Sequence, residues 1–294
     1  MIQGGENSSR RVGVLLVGHG TRDETGTSEF FDLGDRLQES LQRRITTDDD
    51  AIGSSATVCP CLLEFQTPTI RQAWQALAAR DPDHIVVAPL LLFAAGHAKS
   101  DIPDEVAAAQ QETPVDADIQ FSRPISRQSA MIDAARDRLS QLHRRTNSPG
   151  DRTAVVMVGR GSRDPCATSD MRLLSETVIR GASSDGESLA AQWSLREDAV
   201  YTTFYAMAEP KLPVTLADVA ATGRYDHILV QPHLLFAGRL YEAIVRQVQE
   251  ADAAFDQVRF SISDYLGPSR MVADAVAARI HQTIHDQRLP GSLR

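Results

Sequence analysis

The sequence predicts an α/β protein built as two copies of one parallel-sheet module, and three observations predict it. A seven-residue turn, Val17-Gly18-His19-Gly20-Thr21-Arg22-Asp23, returns as Val158-Gly159-Arg160-Gly161-Ser162-Arg163-Asp164. A longer run, Asp83-His84-Ile85-Val86-Val87-Ala88-Pro89-Leu90-Leu91-Leu92-Phe93, reappears as Asp226-His227-Ile228-Leu229-Val230-Gln231-Pro232-His233-Leu234-Leu235-Phe236. Between such runs, short β-branched and leucine-rich segments alternate with amphipathic stretches, the pattern of βα units on a parallel sheet.

Each element has its own signal. Val12 to Val17 is apolar and closed by glycine, so it reads as a buried first strand. Phe30, Leu33, Leu37 and Leu41 follow at helical spacing. Further strands are expected near 56–63, 84–92 and 115–121. A helix through Met131, Ala135, Leu139 and Leu142 completes four βα units. Strands near 153–158, 198–205, 227–235 and 257–263 repeat the scheme. Two polar insertions, Thr46 to Ser55 and Gly181 to Asp198, read as surface loops. Asn147-Ser148-Pro149-Gly150 is a breaker cluster, so residues 143–152 read as the linker between a module at 11–142 and a second at 153–294. Residues 1–10 read as a disordered N-terminus. Two such flavodoxin-like halves facing each other would leave a cleft at the carboxyl ends of their strands, where open α/β sheets bind ligands.

Composition narrows the function classes. A chain of 294 residues fits two domains at the usual ~100–200 residues each. The net charge of −9, without a basic block, argues against a nucleic-acid surface, and no apolar run approaches a membrane span of ~18 residues. Met1 to Arg10 lacks the apolar core of a signal peptide, so the reading is cytoplasmic. Cys59, Cys61 and Cys166 cannot all pair, and Cys59-Pro60-Cys61 is too sparse for a zinc or iron–sulfur site; free thiols are expected. Gly18-His19-Gly20 lacks the third glycine of a dinucleotide fingerprint. Neither a P-loop nor Gly-x-Ser-x-Gly occurs, so nucleotide binding and α/β-hydrolase chemistry are poorly supported, and no organic cofactor is expected.

The chemistry concentrates at three strand ends of the first half. His19 follows the first strand, Glu64 ends the second, and His97 lies just beyond the third. Two imidazoles and a carboxylate suit a borderline transition metal such as Co²⁺, Fe²⁺ or Ni²⁺, whereas calcium or magnesium would ask for oxygen ligands alone. The repeat acts as an internal control. Arg160 stands where His19 stands, Ala206 where Glu64 stands if Pro68 is matched to Pro210, and Arg239 where His97 stands after a one-residue gap. A purely structural need would have kept the three ligands in both copies, so their joint loss points to a site used once. His84 and His227 precede strands and read as structural. Ser100 or Asp101, ahead of Pro103, reads as an oxygen-capped helix start that presents His97.

Val-Gly-His-Gly-Thr-Arg at 17–22, Leu-Glu-Phe at 63–65 with Pro68, and Pro-Leu-Leu-Leu-Phe-Ala-Ala-Gly-His-Ala-Lys-Ser-Asp-Ile-Pro at 89–103 resemble the CbiX/SirB-type sirohydrochlorin chelatases of the class II chelatase family. The resemblance covers essentially the whole chain, in the long, internally duplicated form. It implies a lyase that inserts Co²⁺ or Fe²⁺ into sirohydrochlorin on the route to cobalamin or siroheme. His19 and His97 would bind metal and accept protons, and Glu64 would be an accessory carboxylate. Two departures stand out: the chain has neither a histidine-rich tail nor a cysteine cluster for an iron–sulfur centre.

The substrate that the resemblance implies is a polycarboxylate, which an acidic protein must meet with a local basic patch. Arg22, Lys99, Arg160, Arg163 and Arg239 lie in or beside the turns expected to line the cleft. Arginine pairs with carboxylates in bidentate fashion, so Arg160 and Arg239 read as a substrate clamp grown from the lost second site. A monomer is expected, because the fused repeat supplies both walls. The alternative from another class is a non-catalytic metal or tetrapyrrole carrier on the same module, separated from an enzyme by turnover. A protoporphyrin ferrochelatase would need an apolar pocket, to which a chain with 5% aromatics lends little support.

Overall fold

The computed structural model describes residues 11–45, 56–93, 100–183 and 186–286. The expected N-terminal tail, the insertion at 46–55, His97 and Lys99 lie outside the described residues. In the first half β1 (Val12–Gly18), β2 (Thr57–Leu62), β3 (His84–Pro89) and β4 (Asp118–Phe121) form a parallel sheet of order β2-β1-β3-β4. In the second, β5 (Thr153–Gly159), β6 (Val200–Phe204), β7 (His227–Pro232) and β8 (Arg259–Ile262) repeat it as β6-β5-β7-β8. Even the register recurs: Val12 opposes His84 as Thr153 opposes His227.

Both faces of each sheet are covered, which explains the unbroken apolar strands. Val12, Val14 and Leu16 enter a central core, while Leu15 and Val17 enter an outer one. Val155 and Met157 join the same central core, whereas Ala154, Val156 and Val158 face a third cluster on the far side. The helices α2 (Ile70–Ala78) and α3 (Asp101–Glu112) cover the first outer face, and α7 (Leu212–Ala221) and α8 (Arg239–Ala254) the second. Between the sheets lie α1 (Glu24–Ile45), α4 (Ser129–Thr146), α5 (Pro165–Arg180) and α9 (Arg270–Asp286). Phe30, Leu33, Leu37, Leu41, Met131, Ala135 and Leu139 are buried there, and Leu142 is buried as well.

The halves are not self-contained. Helix α4, which follows the first sheet in sequence, packs on β7, β8 and α5 of the second half, while α9 packs on α1, β3 and β4 of the first. Arg136 of α4 secures the exchange: its guanidinium donates to the carbonyls of Val178 (3.0 Å), Thr177 (3.0 Å) and Gly181 (2.9 Å), capping the C-terminus of α5. Helical spacing says that a face must be buried, not against which sheet.

Other expectations shift at their edges. Helix α4 runs through Thr146, four residues into the segment read as a linker, and Gly150–Arg152 is a 3₁₀ turn. The connection is pinned: His143 stacks on Trp193 with ring centroids 4.2 Å apart, and its Nε2 lies 3.1 Å from the Ser148 carbonyl. Residues 181–198 are accordingly more than a surface loop, because they contain α6 (Leu189–Gln192), whose Leu189 enters the central core. The expected strands 84–92 and 227–235 stop at Pro89 and Pro232. After Pro89 the chain turns, with Leu91 N–H donating to the Pro89 carbonyl at 2.9 Å. Helix α3 starts where Ser100 and Asp101 indicate, but the Ser100 hydroxyl donates to Asp101 Oδ1 rather than capping the helix. The three cysteines form no disulfide, and burial pushes the Cys61 thiol well above its usual range. Among the described residues no helix is long and apolar enough to cross a membrane.

Candidate metal and tetrapyrrole cleft

The strand order reverses at β1, which neighbours β2 on one side and β3 on the other, and a crevice opens at the carboxyl end of such a switch point. His19 stands there, half-buried. The turn carrying it is zipped to the one after β2: Leu63 N–H donates to the Gly18 carbonyl (2.9 Å) and Glu64 N–H to the His19 carbonyl (3.1 Å). Gly20 makes that approach possible, with φ +95 and no Cβ; a Cβ would sit 2.2 Å from the Glu64 carbonyl oxygen. Backbone bonding thus makes His19 and Glu64 neighbours.

The second half reproduces the frame without the ligands. Tyr205 N–H donates to the Gly159 carbonyl and Ala206 N–H to that of Arg160, each at 2.9 Å. Gly161 has φ +89, and a Cβ there would lie 1.7 Å from the Ala206 carbonyl oxygen. The same bonds therefore match Ala206 to Glu64 and Arg160 to His19. Phe65 and Met207, the next residue in each copy, both take positive φ (71 and 56) and stay exposed. Non-glycine residues held there cost of order 1–3 kcal/mol and concentrate at ligand sites.

Both frames open on one cavity of about 1170 Å³, walled by the two halves. His19 lines it, while the Glu64 side chain is exposed beside it. Arg22, Arg160, Arg163 and Arg239 form its rim. None of the four makes an ion pair among the described residues. Arg22 instead lies over the Phe65 ring, 5.0 Å from its centroid. Nearby carboxylates are spent on helix starts: Asp23 Oδ1 accepts from Gly26 N–H (2.8 Å) and Asp164 Oδ1 from Cys166 N–H (2.9 Å). Among the described residues, no three His, Cys, Asp or Glu side chains cluster as a metal site.

Three features escaped sequence reasoning. The cavity floor is apolar, with Leu92, Phe93, Leu235 and Phe236 joining Phe65 and Met207, so overall composition was a poor guide to this pocket. Glu29 latches the halves together, accepting from Ala237 N–H (2.8 Å) and the Tyr265 hydroxyl (2.6 Å). The third is the burial of His233 in the cavity wall.

Two parallel sheets facing one cleft, with matched turns that carry His19 and Glu64 in one half and Arg160 and Ala206 in the other, define a duplicated α/β protein of chelatase architecture. The CbiX family model matches twice, over residues 13–142 and 154–283, and the chain belongs to the CbiX family. It is 28% identical over 255 residues to a sirohydrochlorin ferrochelatase of Priestia megaterium, covering 86% of this chain and 84% of that one. A sirohydrochlorin cobaltochelatase of the same organism is 26% identical, covering 86% and 74%. Among solved structures, SirB from Bacillus subtilis with Fe³⁺ superposes with a TM-score of 0.72 at 26% identity, covering 95% of this chain and 97% of that one.

Proposed function

We propose that this chain is a sirohydrochlorin chelatase, a lyase that exchanges two inner pyrrole protons of sirohydrochlorin for one Co²⁺ or Fe²⁺. The observation that carries the reading is the asymmetry of the cleft. Identical backbone frames present His19 with Glu64 on one side and Arg160 with Ala206 on the other. The metal is the substrate, received by His19, Glu64 and, on sequence grounds, His97. Incoming cation and leaving protons compete for the same nitrogens. A neutral imidazole near pH 7 suits the task because it can ligate or accept a proton without a large shift in pKa.

The cleft also matches the organic substrate in kind. An apolar floor supports the macrocycle's flat faces, while four arginines that lack carboxylate partners among the described residues suit its carboxylated periphery. That rim favours a polycarboxylate over a porphyrin with few acidic groups, even though the floor is apolar. Arg160 and Arg239 serve as the clamp opposite the metal ligands, with Arg22, Arg163 and Lys99 assisting. We place the enzyme in the cytoplasm as a monomer, since the repeat supplies both walls. An anaerobic absorbance assay with purified protein, sirohydrochlorin and each metal in turn tests the proposal. Binding without any metal-dependent acceleration would point to a carrier instead.

A further inference from the structure

His233 follows β7 where Leu90 follows β3; each donates its backbone N–H, at 2.8 Å, to the carbonyl of the matching residue, Val158 or Val17. Only 1% of His233 is exposed, and neither ring nitrogen has a hydrogen-bond partner among the described residues. Gln231, two residues earlier in β7, is likewise buried, with both amide atoms unpartnered among the described residues. Their counterparts Ala88 and Leu90 are apolar members of the central core. The fold therefore accepts hydrocarbon at these positions, and unpartnered polar groups of this kind are rare in proteins. Yet the second half keeps an imidazole, and keeps it in the cavity wall, at the seam between the halves, where its ring lies 5.7 Å from that of Phe93.

Burial holds this imidazole neutral, its pKa lowered to about 4, so it carries one N–H donor and one bare nitrogen. A neutral group beside Phe93 is no receptor for a carboxylate, and the rim arginines already supply that. It does match the centre of a metal-free tetrapyrrole, which offers both N–H donors and unprotonated nitrogens. Once the metal is inserted, all four nitrogens are ligated and no N–H remains. We propose that His233 is a substrate-binding residue that hydrogen-bonds the inner nitrogens of the metal-free macrocycle, from the half opposite His19, and so lets the cleft tell substrate from product. The inference rests on the chelatase reading.

The test compares wild type with His233→Leu, which installs the residue the first half already uses. Fluorescence titration should show metal-free sirohydrochlorin bound about 3- to 10-fold more weakly by the variant, the loss of one neutral hydrogen bond. Palladium-loaded sirohydrochlorin, a diamagnetic stand-in for product whose square-planar ion takes no axial imidazole, should bind both proteins equally. Equal effects on the two ligands, or none, would overturn the proposal. Should the variant fail to fold, ¹⁵N-histidine spectra of the wild type read the same contact: one ring resonance should move with the metal-free ligand and stay in place with the palladium complex. If no ring resonance distinguishes the two ligands, the idea fails. Wild type that neither binds nor metallates sirohydrochlorin defeats the chelatase reading instead.

Discussion

Replacing His233 with leucine should make the protein more resistant to acid, and the size of the gain follows from burial. An imidazole that titrates at 6.5 when free is lowered to about 4 here because the folded protein desolvates it without a partner. Its folded pKa thus lies below the unfolded one. The neutral form contributes its full stability above pH 6.5, and that contribution is lost as the pH falls from 6.5 towards 4, where the unfolded chain takes up a proton that the folded one resists. At 1.36 kcal/mol per pKa unit, the loss by pH 4.5 is on the order of 2 to 3 kcal/mol. Leucine removes it. Urea denaturation of both proteins at pH 7.5 and pH 4.5 gives the difference directly. Carboxylates and His143, whose pKa burial also lowers, titrate alike in both and cancel. At pH 7.5 the variant should be at least as stable as wild type, since an unpartnered polar group costs ~1–3 kcal/mol. Parallel pH profiles for the two proteins would refute the reasoning, because they would mean that His233 is solvated or paired in the folded state.

Four further outcomes are expected. His19→Ala should cost at least ~10² in turnover while leaving the denaturation midpoint unchanged, as measured by metallation rates and urea titration. Gly20→Ala and Gly161→Ala should each destabilise the protein by roughly 1–3 kcal/mol, because a Cβ collides with the neighbouring turn. Of the two, Gly20→Ala should lose the larger share of turnover, since it separates His19 from Glu64. Arg160→Ala and Arg239→Ala should each weaken sirohydrochlorin binding by roughly 10- to 150-fold, with lysine recovering only part, while metal affinity without tetrapyrrole is unchanged or slightly higher. Arg136→Ala should lower stability by about 2 to 3 kcal/mol in chemical denaturation, since it leaves the end of α5 uncapped beside α4.

Much of the site was legible because its signals are local. The glycines around His19 mark a turn, the apolar runs before them mark buried strands, and the repeat shows which side chains the second copy abandoned. Matching Pro68 with Pro210 placed Ala206 opposite Glu64, and the backbone bonds to Arg160 and His19 follow that match. His233 was visible as the counterpart of Leu90, but its burial and its unpartnered ring were not, since both depend on what the other half brings against it. The apolar floor was hidden for a similar reason. Leu92, Phe93, Leu235 and Phe236 read equally well as strand residues until the chain turns at Pro89 and Pro232 and turns them toward the cavity.

The sequence by itself determined the module, its duplication and the asymmetry between the copies, because period, turn chemistry and residue identity are carried by neighbours along the chain. Tertiary structure alone decided where the fourth helix of each half would lie. Both α4 and α9 carry an apolar face that any sheet could bury, and only the closure of the central core, with Arg136 seated on the end of α5, sends each helix to the opposite half. Each wall of the cleft is therefore packed against a helix that the other half contributes.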